Sequence, residues 1–226
     1  PDSLKDFYSK KNYKKAKNYK IENSRISLLS STISFLLTLS IFLSGFYGYL
    51  SDYLISQSNS AFIQSSMFFL FFFFLNTLIS IPIKYYSTFI IEEKYGFNKS
   101  SIKLFFIDQI KGVLMSILIG GVLLFCAINL YQIFSNGFWL WLWVGLSIFI
   151  VFLNVFYASL IVPIFNKLTP LENGTLKEKI EDYSKKIGYS LKNIFIIDGS
   201  KRSSKANAFF SGLGPKKTIA LFDILI

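Results

Sequence analysis

The chain contains no histidine among its 226 residues. That absence excludes, within these residues, a zinc hydrolase site of the H-E-x-x-H kind, which needs two imidazoles one helical turn apart. It also excludes a serine or cysteine nucleophile activated by a histidine base. There is one cysteine, Cys126, so no internal disulfide can form. Standing in an apolar run, Cys126 reads as a small buried apolar residue. Charge is scarce as well, at 16% of residues, where a soluble domain carries about 25%. Acids are scarcer than bases, 13 against 24, leaving a net charge of +11.

The missing charge is missing in blocks. No Asp, Glu, Lys or Arg occurs in 28–51, in 54–83 or in 112–166. A helix needs about 20 apolar residues to cross a bilayer, and lipid-exposed backbone must satisfy its own polar groups. The first two runs each fit one span. The third is long enough for two and is interrupted by Gln132, Ser135, Asn136 and Gly137, so it reads as a helical hairpin. Buried strands of about 4–8 residues are too short to explain such runs. The expected fold class is mainly α and integral membrane. It has four transmembrane helices, near 28–50, 61–83, 113–131 and 138–163, followed by an incomplete α+β soluble segment.

The basic residues are one-sided under this count. Seven Lys and Arg25 lie in 1–27, five Lys in 84–112 and eleven Lys or Arg after Asn166, while 51–60 and 132–137 have none. With four spans, every basic segment falls on one side, which the positive-inside rule makes cytoplasmic. The charge is therefore a topology signal, and a nucleic-acid partner is not expected. The lipid bilayer is.

Three parts follow. Residues 1–27 form a basic juxtamembrane segment whose Tyr8, Tyr13 and Tyr19 interleave with lysines over anionic lipid. Residues 28–166 form the membrane domain, with a cytoplasmic loop at 84–112. Pro82 stands at the end of the second span, and Gly96 reads as a helix stop with Asn98 or Ser100 capping the next, amphipathic helix. Residues 167–226 begin a soluble domain. Thr175-Leu176-Lys177-Glu178 has the form of a capping box. Leu176, Ile180, Tyr183 and Ile187 make one apolar helical face, and Gly188 ends it. Strands are expected at Asn193–Ile197, Ala206–Phe210 and Thr218–Phe222. Asp198-Gly199 makes one turn, and Gly212, Gly214 and Pro215 another. The chain opens on Pro1, without a cleavable signal pattern, and both ends read as boundaries within a longer protein.

An ordered set of motifs carries a family resemblance. It comprises Tyr95-Gly96-Phe97-Asn98 with Phe106, Asp108 and Lys111, then Pro163-Ile164-Phe165-Asn166-Lys167-Leu168-Thr169-Pro170-Leu171. Asp198-Gly199-Ser200-Lys201-Arg202-Ser203-Ser204, Asn207-Ala208-Phe209-Phe210 and Ala220-Leu221-Phe222-Asp223 complete it. In this order and spacing the set resembles the type I C-a-a-X prenyl protease family. The similarity is clearest over 92–111 and 160–226.

The resemblance implies an integral-membrane zinc metalloendopeptidase. In that family two His and a distal Glu hold zinc, and the motif's own Glu is the general base. It implies zinc as the cofactor of the complete enzyme, held by no residue of this chain, with H-E-x-x-H on a helix soon after Ile226. A further span before Pro1 is also implied. The 226-residue chain is expected to be inactive by itself.

The implied partner is a peptide or protein substrate, prenylated C-a-a-X proteins or membrane proteins destined for turnover. Asn207, Ala208, Phe209 and Phe210 resemble the edge strand that binds extended substrate, by main-chain pairing. An ordinary core strand is the competing reading of the same four residues. Lys201, Arg202 and Lys205 line an anionic approach or else a solvated loop. Asn76, Asn129 and Asn154 line an intramembrane chamber or join helices. Glu92-Glu93 is read as a solvated helix end. The alternative function is a non-catalytic membrane scaffold or remnant. A small transporter ranks behind it, because no ionisable residue lies inside a span. The host membrane is a bacterial inner membrane or the endoplasmic reticulum, with both ends of the chain cytoplasmic.

Overall fold

The computed structural model describes residues 9–134, 136–189, 191–213 and 217–226. Ser135, Gly214 and Pro215, assigned to turns above, and Tyr8 lie outside the described residues. Four helices have the length and apolar composition to cross a membrane, and their most apolar windows are almost wholly unburied by protein. Side chains that no protein covers and that water disfavours are what lipid solvates.

The chain divides into two compact units, residues 1–98 with 119–125, and residues 99–118 with 126–226. In the first unit, helix α1 runs Lys10–Leu43 for 34 residues, about 51 Å at 1.5 Å per residue. The part of the basic segment from Lys10 onward is therefore the helical beginning of the span itself rather than a separate interfacial stretch. Ser9 caps it, accepting from Asn12 N–H. The apolar run 28–50 does not continue as one helix. The chain breaks at Ser44-Gly45, and α2 takes up at Phe46–Gln57. Helix α3 spans Ala61–Tyr86 and includes Pro82, then widens into a π-helical turn over Ser87–Glu92. Phe46, Tyr47, Phe68, Phe71 and Phe72 pack between α2 and α3, with ring centroids 4.8–6.5 Å apart.

Tyr19 is not a lipid-facing residue. Its ring stands edge-on to Tyr95 and Phe97, at 5.2 and 4.9 Å, and its hydroxyl donates to Glu92. Gly96 ends the preceding helix, with Phe97 N–H donating back to the Glu92 carbonyl.

Helix α4 runs unbroken over Ile102–Phe134. The amphipathic helix and the third span are thus one element, and most of the 84–112 loop is helical. Its cap is Ser101, which accepts from Leu104 N–H, in place of Asn98 or Ser100. Cys126, expected to be buried, is exposed on α4. Helix α5, Phe138–Phe156, passes through a π-helical turn at Tyr157–Ile161 into the short α6, Val162–Phe165.

The second unit ends in a four-stranded sheet of order β1-β2-β4-β3. The strands are β1 Leu168–Pro170, β2 Asn193–Ile197, β3 Ala208–Ser211 and β4 Thr218–Phe222. β2 and β4 are parallel, and both outer strands are antiparallel to their neighbours. β1 is an addition to the expected strands, and β3 starts two residues later than expected. One face buries Val162, Ile197 and Ala220 with Leu168, Phe209 and Phe222. The other buries Leu171, Ile194 and Leu221 with Ile180 of α7, which spans Thr175–Lys186.

The α7 capping box does not form. Gly174 is the N-cap, with no side-chain hydrogen bond, and Thr175 is already helical. The apolar face of α7 is turned as well. Ser184 is buried, while Tyr183 and Ile187 are exposed. Ile180 alone of the four expected positions packs on the sheet core.

Candidate functional site

β3 stands at the edge of the described sheet, paired on one side only, with β4. Phe222 N–H donates to the Asn207 carbonyl at 2.9 Å. In an antiparallel ladder, bonded and outward positions alternate. The backbone groups of Asn207, Phe209 and Ser211 therefore face β4, and those of Ala208 and Phe210 face away. The Ala208 N–H is accepted by Oδ1 of Asn207 at 2.9 Å. Phe209 points into the core and meets the Tyr157 ring edge-on at 5.7 Å. Phe210 points oppositely and is 73% exposed. Gly212 N–H donates to the Asn154 carbonyl at 3.2 Å, so the end of β3 rests on α5. Three of the four expected substrate-strand residues, Asn207, Ala208 and Phe210, are exposed, and Phe209 is half-buried.

The β2–β3 connection is held by a polar network that the sequence reading did not anticipate. Arg202 Nε and Nη2 donate to the two carboxylate oxygens of Asp108 on α4, at 2.7 and 2.9 Å. Nη1 donates to Asn166 Oδ1 at 2.9 Å, and Nη2 also reaches the Phe165 carbonyl at 2.7 Å. Arg202 is thus committed to a bidentate pair and does not line an anionic approach. Its hydrogen bonds to Asp108 raise the guanidinium pKa, against the opposing effect of burial.

Lys111 donates to the Ile164 carbonyl at 2.7 Å, and Lys201 pairs with Asp198. Asp198 also accepts from Lys167 N–H at 2.7 Å. Burial pushes the Asp198 carboxyl up, but these two donors outweigh it and hold the group below its ordinary value. Asp223 accepts from both the N–H and the hydroxyl of Ser200. Gly199 is needed where it stands, because a Cβ there would lie 2.5 Å from the Phe222 ring. Asp108, Asn166, Arg202 and Asp223 each stood in a quoted motif. Their pairing had no signal in the sequence, because their partners are 23 to 94 residues away.

Asn154 Nδ2 donates to Ile150 within its own helix, and Asn76 Oδ1 accepts from Ser80 in the same way. Glu92 and Glu93 accept from Tyr19 and Asn98, as structural rather than paired acids.

The chain has no histidine, and among the described residues no group of three His, Cys, Asp or Glu is placed to hold a metal ion. These residues do not fit a catalytic zinc.

Residues 1–167 match the family model described as CAAX prenyl protease N-terminal, five membrane helices. Residues 170–226 match peptidase family M48. A probable CAAX prenyl protease 1 from Schizosaccharomyces pombe is 38% identical across all of this chain and 50% of its own length. The CAAX prenyl protease 1 of Saccharomyces cerevisiae is 42% identical over 67% of this chain and 34% of its own. The crystal structure of S. mikatae Ste24p superposes with a TM-score of 0.90 at 35% identity, over 100% of this chain and 54% of that one. Four apolar helices leading into a small α+β segment define a multi-pass integral-membrane protein. The chain belongs to the CAAX prenyl protease family, a family of membrane metalloproteases, and spans about half the length of the curated relatives it matches most fully.

Proposed function

We propose that this chain is the membrane part and the first part of the catalytic domain of a zinc metalloendopeptidase acting on prenylated C-a-a-X proteins. In this reading residues 1–27 and 28–166 form the membrane part, and 167–226 open the catalytic part. Asn207, Ala208, Phe209 and Phe210 bind the substrate as an added strand. One observation carries the reading: among the described residues β3 lies at a sheet edge, with the Ala208 carbonyl and the Phe210 N–H and carbonyl facing outward, the arrangement that β-strand addition requires. Phe209 anchors the strand from behind. Asn207, exposed, fixes its start by accepting from the Ala208 N–H. The relatives' names give the substrate class. In this reading zinc is the cofactor of the complete enzyme, held by residues that are not among these 226. The chain alone holds no stoichiometric zinc and is inert.

The test joins residues 1–226 to the second half of the Saccharomyces cerevisiae relative and offers the purified chimera a farnesylated C-a-a-X peptide. Cleavage by the chimera, with neither zinc nor cleavage in the 226-residue chain, is the expected result. An inactive, folded chimera would favour a non-catalytic scaffold. One tightly held zinc with peptidase activity in the 226-residue chain would overturn the division of labour.

A further inference from the structure

Arg202 joins three segments that are remote in sequence. Its side chain binds Asp108 in the second turn of α4 and the Phe165-Asn166 end of α6. Its own carbonyl accepts from Lys99 N–H at 3.0 Å, just ahead of α4. Its N–H donates to the Gly199 carbonyl, closing the turn after β2. The guanidinium thus makes four side-chain hydrogen bonds, and both charges of the pair are largely covered, at 24% and 17% side-chain exposure. A bidentate Arg–carboxylate pair fixes direction as well as distance. Five residues after Arg202 the chain enters Asn207, and β3 begins at Ala208. Among the described residues β3 has a strand on one side only, so the position of its open edge depends on β4, on the Gly212–Asn154 contact and on the connection that Arg202 holds.

We propose that Arg202 is a positioning residue: by locking the β2–β3 connection to α4 and α6, it sets the open edge of β3 in the register that an extended peptide adds to. The proposal rests on the substrate-strand reading above and deepens it. Arg202 touches no substrate in this role. Asp108 and Asn166 are its fixed counterparts. Lysine is not a substitute, because a single ammonium cannot span both carboxylate oxygens and the two carbonyl-type acceptors.

The first test is hydrogen exchange on the 226-residue chain in lipid nanodiscs. Arg202→Lys and, separately, Asp108→Asn should speed exchange about tenfold in 199–211. Exchange in α7 and β2 should stay as in the unaltered chain. The double variant should be no faster than Arg202→Lys alone, since both remove one interaction. Unchanged exchange in 199–211, or a uniform rise through α7 and β2, overturns the lock.

The second test uses the chimera. Arg202→Lys should raise KM for the C-a-a-X peptide about tenfold with kcat within about twofold, the signature of lost binding rather than lost chemistry. Faster exchange without a KM change removes the substrate part of the proposal. An unaltered chimera that cleaves nothing counts against the proteolytic reading, and the exchange result still decides the lock.

Discussion

Asn207 and Phe209 stand two residues apart and face different tasks. Asn207 is exposed and its Oδ1 holds the Ala208 N–H. Replacing it with Ala removes the neutral hydrogen bond that its amide would give a substrate carbonyl, worth roughly 0.5–1.5 kcal/mol. In the active chimera that is about a threefold to tenfold loss of kcat/KM, with the melting temperature unchanged. Phe209 packs on Val162, Ile197 and Ala220. Its truncation to Ala should cost about 3 kcal/mol, the low end for a Phe because it is half-buried. Thermal unfolding and peptide cleavage measured side by side separate the two. If Asn207→Ala leaves cleavage intact, or unfolds the protein as Phe209→Ala does, the substrate-strand role is wrong.

Asp198 gives a pH dependence. Its folded pKa lies below the ordinary 3.8, so the unfolded chain binds more protons at acid pH and stability rises with pH there. Its contribution is complete above that ordinary value and is lost as pH falls through the lower, folded value. Between about pH 5 and pH 3 the unaltered chain should therefore lose more thermal stability than Asp198→Asn, which has no proton to gain. Parallel melting curves would refute this.

At the scale of elements, helix ends decided what periodicity left open. α7 stops where Gly188 takes φ +68°, with Tyr189 N–H returning to the Ser184 carbonyl. An L side chain is strained there by about 1–2 kcal/mol. Gly188→Ala should lower the melting temperature and Gly188→Asn should lower it less, because Asn tolerates the left-handed region. Equal effects of the two would show that the turn's backbone is not the cause. The same helix shows the limit of a periodic reading. Leu176, Ile180, Tyr183 and Ile187 share a face, yet the sheet takes Ile180 and Ser184 and leaves Tyr183 and Ile187 exposed. α1 and α4 show the reverse. Charged and apolar stretches that read as separate elements are continuous helices, because nothing at Ile26–Leu28 or Gly112 interrupts the i to i−4 ladder.

For the whole molecule the distribution of basic residues predicts a direction in the membrane. The 51–60 and 132–137 segments have no Lys or Arg, and all 24 lie in the segments that alternate with them. Reporters inserted at Asn59 and Asn136 should read the side opposite to both chain ends. A cytoplasmic signal at either position would dismantle the four-span, one-sided topology. The break at Ser44-Gly45 sharpens the test, because α2 carries Asp52 near its middle.

The number of apolar helices, the hairpin at Asn136-Gly137, strands β2 and β4, and the family itself were legible in the sequence. Each depends on local composition, spacing or a contiguous motif, and those survive in one dimension. Composition and spacing did not tell β3 from β4, both short apolar strands; only the family resemblance implied an edge for β3, and the ladders place it at the edge of the described sheet with β4 inside. The tertiary structure alone decided the rest. The three-residue β1 exists because β2 offers it a ladder. The pairing of Asp108, Asn166 and Arg202 depends on three segments arriving at one place, up to 94 residues apart. A short-range electrostatic contact of that kind leaves no periodicity behind. Its members were visible as motif residues, and their joint task became visible only once the chain had folded.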